Sequence, residues 1–232
     1  MLLHTLREEV LEANIELVRR GLVLYTFGNA SAISREQGLV AIKPSGVPYD
    51  SMTAGDIVIT DLDGAIVDGR LNPSSDISTH LEIYRHFSNV GGVVHTHSEF
   101  ATAWAQARKP IPCLGTTHAD YFHDAVPVTD ELSESEIRAD YEKNTGLAIR
   151  RVFDNVSPDD VPSVLVAGHG PFSWGKSATD AVHNAVILEY VAKMAYRTIG
   201  ISQVPEGISR ELHDKHYLRK HGRAAYYGQS KG

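Results

Sequence analysis

The chain has 232 residues, 42% of them hydrophobic and 22% charged, with a formal net charge of −7. That length can bury a substantial core. No apolar run approaches the ~20 residues of a membrane-spanning helix, and the acidic balance excludes a general nucleic-acid surface while leaving room for a small anionic ligand in a pocket. A single cysteine, Cys113, rules out an internal disulfide framework and a cysteine-rich structural zinc site. Together with three acids in the first dozen residues and no basic-then-apolar leader layout, it predicts a cytoplasmic protein.

Residues 3–20 place Leu6, Val10, Ile15, Leu17 and Val18 on a helical pattern, with Gly21 as its stop. β-like stretches follow at 22–33, 39–43 and 56–68, the last a hairpin with Asp63-Gly64 at its turn. A helix is predicted over 76–87 after Ser74-Ser75, a strand over 91–97 and a short helix over 99–107. Ser133 and Glu136 stand at capping-box spacing at the head of a helix over 134–153. A strand over 163–167 runs into Gly168-His169-Gly170, with Pro171 stiffening the exit. A long helix over 178–199 and a last one over 209–220 complete the chain. No repeat or linker divides it, so one domain over 1–232 is expected. Interleaved strands and helices predict a three-layer α/β/α fold around a mixed, largely antiparallel sheet.

Twelve histidines are unusual for a chain of this size. In GGVVHTHS (91–98), residues two apart on a strand share a face, so Val93, His95 and His97 point together. Two imidazoles that close cannot both be charged cheaply, and the neutral ring is the form that binds zinc. The competing reading is a pair of half-exposed histidines bonded to their neighbours. His169, between two glycines at a second strand end, supplies a third donor or is simply a turn residue. Three histidines with an open position make a catalytic zinc arrangement. Ser74 and Ser75 precede a predicted helix, whose N-terminus offers free N–H groups and a positive dipole end to a phosphate. Gly28-Asn29 and Ser45-Gly46, beside Lys43, are further small turns. Any one of them alone reads equally as a cap or an ordinary turn.

These stretches line up with a known family. GNASA (28–32), IKPSGV (42–47), PSSDISTH (73–80), GGVVHTHS (91–98), ATAWAQA (101–107), GTTHADYF (115–122), HGPFSWGK (169–176), DAVHNAVILE (180–189) and DKHYLRKHG…AYYGQ (214–229) occur in order along almost the whole chain. It resembles the class II aldolase/epimerase proteins, and among them the L-ribulose-5-phosphate 4-epimerases. The resemblance implies one divalent metal per subunit, Zn²⁺ with Mn²⁺ or Co²⁺ as substitutes, held by His95, His97 and His169, with Asp76 as ligand or close neighbour. It implies a phosphorylated pentulose bound by Gly28, Asn29, Lys43, Ser45, Gly46, Ser74 and Ser75. The reaction implied is interconversion of L-ribulose 5-phosphate and D-xylulose 5-phosphate, a step of L-arabinose breakdown. It proceeds by retro-aldol opening of C3–C4, rotation of the aldehyde and re-formation of the bond.

Inverting C4 needs acid/base groups on opposite faces. By resemblance these are Asp120 and Tyr227, with His216 in support. Tyr227 lies in a tail that would fray unless something ordered it. The resemblance implies a neighbouring subunit, hence a C4 homotetramer whose tails, residues 209–232, complete adjacent active sites. The residues after Gln229 read as an inert extension. Ser98-Glu99-Phe100 and Ala167-Gly168 depart from the family's common residues near the metal and bear on the choice of sugar. Alternatives are an L-xylulose-5-phosphate 4-epimerase and a ketose-phosphate aldolase of the L-fuculose 1-phosphate type, which tends to carry Glu at position 76 and to lack GTTHADYF. A third is a metal-free scaffold, which the retained histidines argue against.

Overall fold

The computed structural model describes residues 2–221 and 225–228. The expected inert extension beyond Gln229, and Gln229 itself, lie outside them. Helix α1 (His4–Arg19) ends where Gly21 takes φ +69° and Leu22 donates its N–H back to the Leu17 carbonyl, the left-handed stop expected there. The apolar residues 22–24 do not start a strand. They are consumed by a turn, with Phe27 N–H bonded to the Leu24 carbonyl and Tyr25 at φ +51°.

Seven strands follow among the described residues. They are β1 (Asn29–Ser34), β2 (Leu39–Ile42), β3 (Val58–Asp61), β4 (Ile66–Asp68), β5 (Gly92–His95), β6 (Ser163–Leu165) and β7 (Pro171–Gly175). They form one sheet in the order β4-β3-β2-β1-β5-β7-β6, and every strand pair is antiparallel. The parallel element is reduced to an isolated bridge between Val128 and Leu165. The helices are α2 (Ile77–His86), α3 (Glu99–Ala107), α4 (Thr116–Ala119), α5 (Glu134–Val152), α6 (Ala178–Ile201) and α7 (Arg210–His221).

Alternation along the strands divides the core in two. Ala30, Ala32, Ala41 and Val94 pack with Val10, Ala13 and Leu17 of α1 and the first half of α6. Ile33, Val40 and Val93 face the other way, against Leu81, Ile83 and Tyr84 of α2, Ile149 of α5 and the second half of α6. The result is the expected sheet between two helical layers. β7 was not foreseen, because Pro, Gly and a histidine turn read as loop. It is nevertheless an interior strand, and Pro171 sits at its first position, where a missing N–H is tolerated. No helix among the described residues is long and apolar enough to cross a membrane.

Candidate active site

β5 delivers the first histidine. His95 is 1% exposed, its ring stacks on Phe172 of β7 with centroids 4.3 Å apart, and its Nδ1 donates to the Pro171 carbonyl at 3.0 Å. A carbonyl only accepts, so that bond fixes the neutral tautomer and leaves Nε2 bare. His97 lies two residues past the end of the strand, with its Nε2 3.1 Å from that of His95. His169, on the β6–β7 turn, brings its ring centroid to 4.8 Å from His95 and 5.0 Å from His97. The turn comes this close because position 170 is glycine. A Cβ there would lie 2.8 Å from the Thr96 carbonyl.

The donor set fits a divalent cation of the zinc class. The ligand atoms of His95, His97 and His169 all lie within 4.8 Å of one another. A tetrahedral ion with bonds of about 2.0–2.1 Å holds its ligands about 3.3–3.4 Å apart, close to the separation of the two Nε2 atoms. Burial lowers the pKa of His95 to about 3 and moves those of His97 and His169 below the usual imidazole range, so all three are neutral at pH 7, the ligating form.

Asp76 lines the same cavity and stands outside the three-histidine group. Its Oδ2 accepts from Asn29 Nδ2 at 2.7 Å. Burial opposes its ionisation, but the imidazoles of His95 and His80 and the Asn29 amide outweigh that and hold its carboxyl below the ordinary range. The same Asn29 amide donates to Ser74 Oγ at 3.0 Å. Its buried Oδ1 has no partner among the described residues, an acceptor left for a ligand hydroxyl.

The seven residues expected to bind substrate, Gly28, Asn29, Lys43, Ser45, Gly46, Ser74 and Ser75, all line this cavity of about 440 Å³ with Asp76 and the three histidines. Two loops are laced into one wall by Ser45 N–H to the Asn72 carbonyl at 3.0 Å and Ser74 N–H to the Lys43 carbonyl at 2.9 Å. Gly28 takes φ +85°, and a Cβ there would meet the His95 carbonyl at 2.7 Å, so both conformation and space require glycine. Lys43 is 2% exposed, with its ammonium 4.7 Å over the Tyr49 ring, and burial lowers its pKa.

Asp120, His216 and Tyr227 do not line this cavity in their own chain. They form a second cluster where α4 meets α7. Asp120 accepts from Arg219 at 3.0 and 2.7 Å and pairs with His216 Nδ1 at 3.0 Å. Lys220 Nζ stands 3.7 Å away. Burial alone would raise the Asp120 pKa, but these partners lower it below the carboxylate norm. Tyr227 is 62% exposed and lies under the Arg219 and Lys220 cations at 5.0 and 4.5 Å.

Tyr141 and Glu142 also line the cavity and were not foreseen, and the Tyr141 hydroxyl is 3.0 Å from His169 Nδ1. They reach it because α5 breaks at Asp140 (φ −160°, ψ 89°), whose Oδ1 accepts from Lys143 N–H at 3.2 Å and so caps the second half of the helix. An aspartate three residues before that N–H was the available signal. His80, within reach of the site by sequence, is fully buried beside Ser31 Oγ at 2.7 Å. His183 lies within α6. It is exposed, against Tyr121, so it is no part of the core of this chain. Trp104 and Trp174 pack into the core, each donating its indole N–H to a carbonyl.

Residues 8–196 match the model of the class II aldolase and adducin N-terminal domain family. Among solved structures, an L-fuculose 1-phosphate aldolase is 25% identical with a TM-score of 0.79, the match covering 93% of this chain and 95% of that one. YgbL from Klebsiella pneumoniae is 25% identical at a TM-score of 0.72, covering 91% and 97%. The L-fuculose-1-phosphate aldolase of Thermus thermophilus, at 22% identity and a TM-score of 0.67 over 88% and 98%, shares the fold. With four-fifths of its length matched, the chain belongs to the class II aldolase and adducin N-terminal domain family.

Proposed function

We propose that the protein is a divalent-metal-dependent enzyme acting on sugar phosphates, and within that class an L-ribulose-5-phosphate 4-epimerase. One observation carries this reading: three neutral imidazoles, an ionised Asp76 and the Ser45, Gly46, Ser74 and Ser75 walls share a single cavity. His95, His97 and His169 would hold the ion, which when bound acts as a Lewis acid towards the ketose oxygens. Asn29 Oδ1 is free to accept from a sugar hydroxyl. Ser74, Ser75 and the first turn of α2 offer hydroxyl and N–H donors to the phosphate. Asp120, kept ionised by Arg219 and His216, takes the C4 hydroxyl proton as C3–C4 opens. Tyr227 returns a proton on the opposite face as the bond re-forms with inverted C4.

These two groups sit outside the cavity of their own chain, so the reading requires a neighbouring subunit to bring them, in a four-fold homotetramer. A ketose-phosphate aldolase is the second reading, favoured by the L-fuculose 1-phosphate aldolase among the structural neighbours. Asp at position 76 and the GTTHADYF stretch favour the epimerase.

Zinc-loaded protein incubated with L-ribulose 5-phosphate should form D-xylulose 5-phosphate. Chelation or His97→Asn should abolish turnover, a loss on the order of 10³-fold or more, in keeping with loss of a Lewis-acid ion. Zinc binding without epimerisation, but with cleavage of L-fuculose 1-phosphate into free fragments, would transfer the assignment to the aldolase.

A further inference from the structure

Away from the cavity, a second group of potential metal ligands joins the turn after Asp120 to α7. His123 Nε2 lies 3.3 Å from Asp214 Oδ1, and His213 Nδ1 lies 3.4 Å from the same oxygen. The two rings face each other with centroids 5.1 Å apart, and the three ligand atoms lie within 4.8 Å of one another. A charge-assisted hydrogen bond between imidazole and carboxylate would close to about 2.7–2.9 Å. The observed spacings are longer and instead match the roughly 3.3–3.4 Å edge of a tetrahedron around an ion with 2.0–2.1 Å bonds.

Two further observations point the same way. His213 is 6% exposed, so its ring is held in place by packing rather than free in solvent. Adjacent residues on a helix point about 100° apart, yet Asp214 turns its Oδ1 back toward His213, so both serve one point. Arg210 touches the same carboxylate, with Nε 3.0 Å from Oδ1 and 3.2 Å from Oδ2. Its side chain is 61% exposed and can keep the outer oxygen when an ion takes the inner one.

From this we infer that His123, His213 and Asp214 form a second divalent-cation site, of the two-histidine, one-carboxylate kind, open to water in its remaining position. Its role is structural. Only His213 and Tyr217 of α7 are buried, and both pack on His123, with Tyr217 at 4.5 Å. An ion here fastens α7, and with it His216 and Arg219, against the segment that carries Asp120.

The test is a zinc count on metal-free full-length protein reloaded and desalted, with His123→Ala, Asp214→Asn and His97→Asn alongside. Wild type should hold two zinc ions per chain. His123→Ala and Asp214→Asn should each lose one, and His97→Asn should lose the other. Amide exchange over 210–221 should slow with zinc in wild type and in His97→Asn, and not in His123→Ala. Zinc retained in full by both His123→Ala and Asp214→Asn would overturn the inference, whether wild type holds one ion or two. A single ion lost only in the His123 and Asp214 variants would uphold it while removing the metal from the proposed catalytic centre.

Discussion

At the scale of single residues, chemistry was legible where local spacing sets it. H-x-H read as a strand end predicts a shared face, and His95 and His97 do meet, although β5 stops at His95 and the chain beyond it, not strand alternation, carries His97. His169 joins them through β7, which the sequence conceals. His118 shows how a role is settled by packing. It could have served the Asp120 loop or made a structural bond, and its Nε2 in fact lies 2.8 Å from the Asp124 carbonyl, with the ring 4% exposed. Burial lowers its pKa to about 4. Between that value and its unfolded pKa of about 6.5, the unfolded chain binds the extra proton, so stability falls as pH drops through this window. The advantage of wild type over His118→Gln in urea unfolding should therefore shrink between pH 7 and pH 5, by about 1–2 kcal/mol at 1.36 kcal/mol per unit. A constant difference at the two pH values would refute the assignment.

At the scale of elements, period and punctuation located α1, α3 and the α5 start to within a residue. The Ser133–Glu136 box closes as expected, with Glu136 N–H donating to Ser133 Oγ and Ser133 N–H donating to the Glu136 carboxylate. What escaped were elements that depend on a partner. Glu189 of α6 caps α3 from outside, accepting from Phe100 and Ala101 N–H at 2.8 and 2.9 Å. The packing of α2 on α5 rests on Gly146, where an added Cβ would lie 2.5 Å from Glu82 Cβ and 3.2 Å from the Thr79 carbonyl. Ala favours a helix over Gly by up to ~1 kcal/mol, yet here the helices must part. Gly146→Ala should destabilise the protein by roughly 1–3 kcal/mol in denaturant unfolding, as overpacking does. Since α5 carries Tyr141, whose hydroxyl lies 3.0 Å from His169 Nδ1, the same change should also weaken retention of the proposed ion. A stabilised variant would show that the contact yields freely.

At the scale of the whole molecule, the fold class followed from interleaved patterns, while assembly could not be read from one chain's periodicity. Val204, Ile201 and Tyr25 are 85–88% exposed, and Asp120 and Tyr227 stand apart from the cavity that holds His95, His97 and His169. If the proposed tetramer shares its sites, inactive His97→Asn and inactive Tyr227→Phe chains should complement one another when unfolded together and reassembled. Random four-fold mixing leaves about one site in four intact, so about a quarter of wild-type activity should return. No recovery would confine each site to a single chain. The order of the strands also bears on how the centre is built. His95 and the Pro171 carbonyl that orients its ring are 76 residues apart in sequence, and closing a loop that long costs roughly 4 kcal/mol of chain entropy. An unfolded chain therefore presents no ready chelate of all three histidines. The β1, β5 and β7 ladders must pair first, driven by their own apolar faces, so under the proposed function ion capture is the final event of maturation, a readout that the slowest, most non-local part of folding has been completed.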